Sequence, residues 1–125
     1  MPLPVTPDAY LGDATTLLTA SAATEDPADA LELAYQAALR VAGAVLAGAP
    51  VRRSAGRGAW NQIRRRAPHY AGWSDRFLPV SKIRGRLLLG LDVPVDAADV
   101  DRLRRMATEF KAEVEQDLGW LPQAA

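Results

Sequence analysis

The sequence predicts an all-α fold, an up-and-down helical bundle of about four principal helices. Apolar residues recur at spacings of three and four over several long stretches, as they do along one face of a helix. No alternating stretch is long enough for a strand, because Val-Pro-Val at 93–95 is too short. The length of 125 residues predicts one domain over 1–125, with a core of about 7–119 and a frayed tail at 120–125.

The first helix is predicted to begin at the N-terminal end of this core. Thr6 can accept a hydrogen bond from a free backbone N–H group, and Pro7 suits the first helical turn. The following apolar residues share one helix face: Leu11, Ala14, Leu17, Leu18 and Ala22.

The second helix has the clearest start signal in the chain. Asp26 is a good capping residue and Pro27 fits the first helical position. The stretch that follows is apolar on nearly all sides, which is typical of a central helix with neighbours around it. Gly48 and Pro50 are expected to end it.

Prolines divide the third helical region. A polar connection at 50–58 precedes a short helix with Trp60, Ile63 and Ala67 facing inward. We expect a break at Pro68, then a helix with aromatic residues at helical spacing, and a second break at Pro79. Another short turn is expected from about residue 81 to 88.

The last helix has a strong 3-4 pattern. After a loop at 90–94, Asp96 or Asp99 is expected to cap it. Gly119 and Pro122 are expected to end it. Its apolar residues are Val100, Leu103, Ala107, Phe110, Val114 and Leu118.

The net charge of zero hides a strongly basic middle. Residues 52–86 contain ten basic side chains and one acidic side chain, and the rest of the chain is correspondingly acidic. This distribution indicates an anionic partner or self-association of opposite surfaces. If the anionic partner is RNA or single-stranded DNA, the candidate binding residues are Arg52, Arg53, Arg57, Arg64, Arg65 and Arg66.

Several functional classes find no support in the sequence. The absence of cysteine excludes disulfides and favours the cytoplasm, and no apolar run predicts a membrane segment or signal peptide. The segment 54–58 lacks the lysine of a phosphate-binding loop. The aspartates at 92–101 do not match a calcium loop and are better explained as helix caps. We therefore expect no cofactor and no metal site.

The chain resembles a short actinobacterial branch of the HEPN (higher eukaryote and prokaryote nucleotide-binding) domains over roughly residues 10 to 120. The matching residues come in order: Asp26-Pro27 through Leu46, an arginine-rich loop, Ala59-Trp60, Ala67-Pro68, Trp73, Phe77, Ala98-Asp99, Leu103-Arg104, Phe110, Val114-Glu115 and Leu118-Gly119. The resemblance implies a helical bundle that often dimerises. It also suggests a link to DNA repair or nucleic-acid metabolism.

Many HEPN proteins are metal-independent ribonucleases with an arginine, four to six residues, and a histidine. Arg64 and His69 fit this spacing, and His69 is the one histidine of the chain. Such a pair could move a proton and stabilise a charged phosphorane. Pro68 stands between them, however, and is expected to place them on different helices. The resembled branch is non-catalytic.

Arg40 interrupts the apolar central helix. A buried charge needs a partner, so we expect Arg40 to pair with Glu113 or Asp117, or else to lie at a dimer seam. The leading hypothesis is thus a non-catalytic HEPN-like interaction module, a homodimer with an unknown protein partner. The alternatives are a nucleic-acid binder using 52–66 and a ribonuclease using Arg64 and His69.

Overall fold

The computed structural model describes residues 6–51 and 57–119. The described residues form helices and connections without strands, and the predicted all-α bundle is confirmed. There are five α-helices, with a 3₁₀ turn at Pro68–Tyr70. The helices are α1 (Pro7–Ala22), α2 (Pro27–Ala47), α3 (Ala59–Arg66), α4 (Ala71–Leu88) and α5 (Ala97–Asp117).

The three predicted helix caps are present. The Thr6 hydroxyl accepts from the Ala9 amide at 3.2 Å at the start of α1, and Asp26 caps α2 in the same way. At the start of α5, Asp96 and Asp99 form a reciprocal capping box, with distances of 2.8 and 3.2 Å. Each cap satisfies an N–H group that the helix itself leaves unpaired, and so fixes where the helix begins.

The helix α2 is the centre of the bundle, as predicted. It packs along α1 and α5, and six of its alanines are buried. Its length and composition alone would suit a membrane span, but more than half of the apolar window (56%) is buried inside the chain. That burial is typical of the core helix of a soluble bundle.

The other side of the core is aromatic. Trp60 of α3 stacks on Phe77 of α4, with ring centroids 4.8 Å apart. Phe110 of α5 contacts both rings and also packs on Tyr70 and Trp73. The Trp60 indole N–H donates to the buried Tyr35 hydroxyl of α2 at 2.9 Å. The aromatic residues of the short third region are therefore core residues.

The predicted break at Pro79 is wrong, since α4 continues from Ala71 to Leu88 with Pro79 inside it. A proline removes one N–H, and the carbonyl of Asp75 four residues earlier loses its helical partner. Both residues are exposed. Burial of Phe77 before the proline and packing of Ile83 after it hold the two halves of the helix in place. The break at Pro68 is confirmed by the 3₁₀ turn there.

Two residues of the predicted apolar stripes differ from expectation. Ala22 is exposed, and Leu118 is 45% exposed. Ser21 is buried instead of Ala22, and the Ser21 hydroxyl donates to the carbonyl of Ala30 at 2.7 Å. This bond ties the end of α1 to the start of α2.

Candidate functional site

The structure places Arg64 and His69 on different elements. Arg64 lies in α3 and forms an ion pair with Asp75 of α4. His69 lies in the 3₁₀ turn, where its Nε2 is 3.5 Å from Oδ2 of Asp117. No hydrogen bond or ion pair among the described residues joins the arginine to the histidine. Each is held by a different acid.

His69 belongs to a polar cluster that joins the 3₁₀ turn and α4 to the end of α5. Its members, the His69 cluster, are His69, Tyr70, Trp73, Glu113 and Asp117. The Tyr70 hydroxyl donates to Oδ2 of Asp117 at 2.6 Å. The Trp73 indole N–H donates to Oε2 of Glu113. Partial burial, then the hydrogen bond and negative charge of Asp117, raise the pKa of Tyr70 well above its usual value.

The cluster brings together three potential metal ligands. The imidazole of His69 and the carboxylates of Glu113 and Asp117 each offer one ligand atom, and these atoms lie within 4.8 Å of one another. The two acids are one helical turn apart on α5, whereas His69 is more than 40 positions earlier. Sequence spacing alone gave no signal for this trio, because a tertiary contact assembles it.

Arg66 is a structural residue rather than an exposed phosphate-binding one. Its guanidinium donates to the carbonyls of Leu46 at 2.9 Å, Ala49 at 3.3 Å and Pro50 at 3.0 Å. These carbonyls lie at the end of α2, which has no basic residue in its own last turn. Arg66 supplies the positive charge that the negative end of this helix favours.

Arg104 of α5 has the corresponding role at the end of α1. It donates to both the carbonyl and the hydroxyl of Ser21 at 3.3 Å, and it pairs with Asp101. The last turn of α1 also lacks a basic residue. Neither α1 nor α2 has a basic residue in its own last turn, and in both an arginine from another helix bonds to the helix end.

Three arginines of the basic middle segment, Arg64, Arg76 and Arg84, form ion pairs within the chain. Arg84 forms a two-pronged ion pair with Glu32 at 2.7 and 2.9 Å. The hydrogen bond from Arg84 lowers the pKa of Glu32, and the same bond raises the pKa of Arg84. Arg76 lies over the Trp73 ring and 3.7 Å from Glu109. Paired in this way, these guanidinium groups are less available to an external anion.

Two other nucleic-acid-binding candidates of the basic segment have no such partners in the part of the chain that the structure describes. Arg57 and Arg65 are exposed, and neither forms an ion pair with any residue that the structure describes. Arg52 and Arg53 lie outside the described residues. Of the four candidates that the structure describes, Arg57, Arg64 and Arg65 are exposed, with Arg64 paired to Asp75, and Arg66 is partly buried.

The predicted pairing of Arg40 is wrong. Arg40 is exposed, and the Glu113 and Asp117 carboxylates interact with Trp73, Tyr70 and His69 instead. A position at a dimer seam stays a prediction for this residue.

An exposed apolar surface lies where α4 ends. Leu88 is 66%, Leu89 78% and Leu91 53% exposed, and these three form the leucine patch. The amide of Leu91 donates to the carbonyl of Arg86 at 3.1 Å, which folds the loop back onto the helix end. Arg86 and Asp92 flank the patch with opposite charges, and both are exposed.

Comparison with known proteins gives one clear relationship. No curated protein and no solved structure shows significant similarity to the chain. A family model does match residues 20–115, which include all of α2, α3 and α4 and most of α5. The match covers well over half of the chain and agrees with the all-α bundle. The protein therefore belongs to the SAV_6107-like HEPN family.

Proposed function

We propose that this protein is a non-catalytic HEPN-like interaction module of the cytoplasm that forms a homodimer through the leucine patch. The observation that carries the proposal is the exposure of Leu88, Leu89 and Leu91 together at one end of α4. Contiguous exposed apolar side chains with a polar rim are typical of protein-binding surfaces.

The charges beside the patch favour a second copy of the chain as the partner. A twofold interface brings the same surface of two subunits together, so the surface must be complementary to itself. Arg86 and Asp92 are exposed opposite charges that precede and follow the leucines along the chain. Across a twofold axis, Arg86 of one subunit can face Asp92 of the other.

The commitment of Arg64 and His69 to separate acids supports the absence of catalysis. A general base and a phosphate-stabilising cation must both reach one reacting group. Arg64 is held against Asp75, and His69 is held near Asp117. Their separate ion pairs therefore support the proposal that this pair does not cleave RNA.

Sedimentation velocity over a range of protein concentrations tests the homodimer. We expect a dimer for the natural chain and a monomer for Leu89→Ser/Leu91→Ser, with unchanged circular dichroism. Val51→Ser is the matched control, because Val51 is 84% exposed and follows the C-terminal end of α2. Leu88 of the patch instead lies near Ala28 and Asp29 at the N-terminal end of that helix. A natural chain that stays monomeric at high concentration contradicts the homodimer.

A charge exchange tests the twofold contact itself. Arg86→Asp and Asp92→Arg should each weaken the dimer by placing like charges opposite one another. The double variant should restore it. Equal dimer stability in all four proteins would place the interface elsewhere.

The absence of catalysis has a direct test. Incubation of the protein with single-stranded RNA should give no cleavage above that of a mock preparation. Cleavage that disappears in a folded His69→Ala variant would establish the ribonuclease alternative.

The exposure of Arg57 and Arg65 favours nucleic-acid binding as a second candidate function. Fluorescence anisotropy with single-stranded RNA and DNA should then show weak binding that falls steeply with salt. Arg57→Ala/Arg65→Ala should reduce it, and so should Arg52→Ala/Arg53→Ala. Binding that is absent at low salt removes this candidate. If the protein binds no nucleic acid, a role in DNA repair or nucleic-acid metabolism would act through a protein partner.

A further inference from the structure

We propose that the His69 cluster binds a divalent transition-metal ion of the zinc type through the side chains of His69, Glu113 and Asp117. Its three ligands lie in the 3₁₀ turn and in α5, whereas the leucine patch lies at the end of α4 and in the loop after it. The inference does not depend on the homodimer.

The ligand geometry is close to that of a metal site. The three candidate ligand atoms lie within 4.8 Å of one another, and in a tetrahedral zinc site with bonds near 2.0–2.1 Å they would be roughly 3.3 Å apart. Rotamer changes of the three side chains that move the ligand atoms by about 1.5 Å would close this difference. The His69 side chain is 71% exposed, so it can change rotamer without disturbing the core.

The carboxylates are held in position by hydrogen bonds from aromatic side chains. Tyr70 donates to Oδ2 of Asp117, and Trp73 donates to one oxygen of Glu113. Both carboxylates keep acceptor capacity for a cation, since Oδ2 of Asp117, 3.5 Å from Nε2 of His69, has a second lone pair and Glu113 has a second oxygen. The donors are themselves fixed, because the rings of Tyr70 and Trp73 pack on Phe110, with Trp73 stacked at 5.2 Å. Hydrogen-bonded supports of this kind are typical of metal-binding carboxylates.

The local charge favours a cation. Glu113 and Asp117 lie at positions i and i+4 of α5, where two negative charges repel. Among the residues that the structure describes, no arginine forms an ion pair with either acid. A divalent ion would relieve this repulsion and tie the 3₁₀ turn to the end of α5.

The ligand types decide which metal the site prefers. Imidazole nitrogen suits zinc and its neighbours, whereas magnesium and calcium require shells made almost wholly of oxygen. Three protein ligands leave a fourth position open to water or to a donor from another molecule. The site is thus expected to discriminate strongly against magnesium and calcium.

Isothermal titration of the full-length, tag-free protein with zinc chloride at pH 7.5 tests the proposal. We expect one zinc ion per chain with micromolar affinity, and no detectable heat with magnesium or calcium chloride. His69→Ala, Glu113→Gln and Asp117→Asn should each weaken zinc binding at least 10-fold. Glu109→Gln and Asp92→Asn are matched controls outside the trio and should leave the affinity unchanged.

The single histidine gives an independent readout. Because the chain has one histidine and no cysteine, any imidazole coordination must involve His69. Its ring signals in the NMR spectrum should shift with the same zinc dependence as the heat. Exposure of His69 keeps the His69→Ala variant folded, which circular dichroism verifies. Zinc affinity equal to that of the natural chain in this variant, or no zinc binding at all, overturns the proposal.

Discussion

The two halves of the core are built from side chains of opposite size. Where α1 packs on α2, the small residues of α2 leave room for the Tyr10 ring, and a methyl group on Gly43 would lie 2.6 Å from that ring. Where α3, α4 and α5 meet, large aromatic rings fill the space instead, with Phe77 and Phe110 fully buried. The aromatic half should therefore be sensitive to lost volume, and the alanine-rich half to added volume.

The largest effect is expected from removing volume in the aromatic half. Phe110→Ala should lower the free energy of unfolding by about 3–5 kcal/mol, because the ring contacts four other aromatic side chains. Urea denaturation followed by circular dichroism measures it. Phe110→Leu is the control and should cost clearly less. Equal, small losses in both variants would show that this half of the core is loosely packed.

Arg66 joins the two halves, since it extends from α3 to the end of α2. Arg66→Ala should lower the free energy of unfolding by about 1.5–3 kcal/mol, because three carbonyls lose a charged donor. Arg65→Ala removes an exposed neighbour and should change stability by less than about 0.5 kcal/mol. Thermal denaturation compares the two. Similar melting temperatures for both variants would contradict the capping role of Arg66.

Gly43 tests the alanine-rich half in the opposite direction. Gly43→Ala should destabilise the natural chain by about 1–3 kcal/mol, because the new methyl group meets the Tyr10 ring. In a Tyr10→Ala background the same change should stabilise the helix by up to about 1 kcal/mol, since alanine is the better helix former. Urea denaturation should show that the change in the free energy of unfolding caused by Gly43→Ala has opposite signs in the two backgrounds. A stabilising effect in both backgrounds would show that Tyr10 moves aside freely.

The smallest effect concerns the ion pair that links α2 to α4. Bonding to Arg84 lowers the pKa of Glu32 in the folded state, so its stabilisation is present above the unfolded pKa and is lost as the pH falls through the folded value. Glu32→Gln should therefore cost about 1 kcal/mol or less at pH 7. The difference from the natural chain should vanish at strongly acidic pH. A difference that grows on acidification would contradict the ion pair.

Sequence reasoning succeeded where the physical cause is local. Thr6, Asp26 and Asp96 cap helices through bonds that span three residues, so their neighbours in the chain are sufficient to predict them. The periodicity of α5 was sufficient to find its buried face for the same reason. The family resemblance was carried in part by the start of α2 and by α5, and the family match confirms membership of the HEPN domains.

The sequence was less informative wherever distant residues decide the outcome. Pro79 removes a local bond, but packing on both sides of it keeps α4 continuous. The arginines of the basic segment looked alike in sequence, whereas tertiary structure makes Arg66 a helix cap and leaves Arg65 exposed. The sequence contains no sign of an acid beside His69, because its neighbour in the structure, Asp117, comes from the last turn of α5.

Pro79 also divides α4 into two parts with different surroundings. Before it, Phe77 anchors the helix in the aromatic core; after it, the helix leads to the leucine patch. The backbone between them has one bond fewer than an uninterrupted helix, so this is where local opening begins at least cost. If the leucine patch binds a second subunit as proposed, the outer half can adjust its angle to that subunit while the inner half keeps its register.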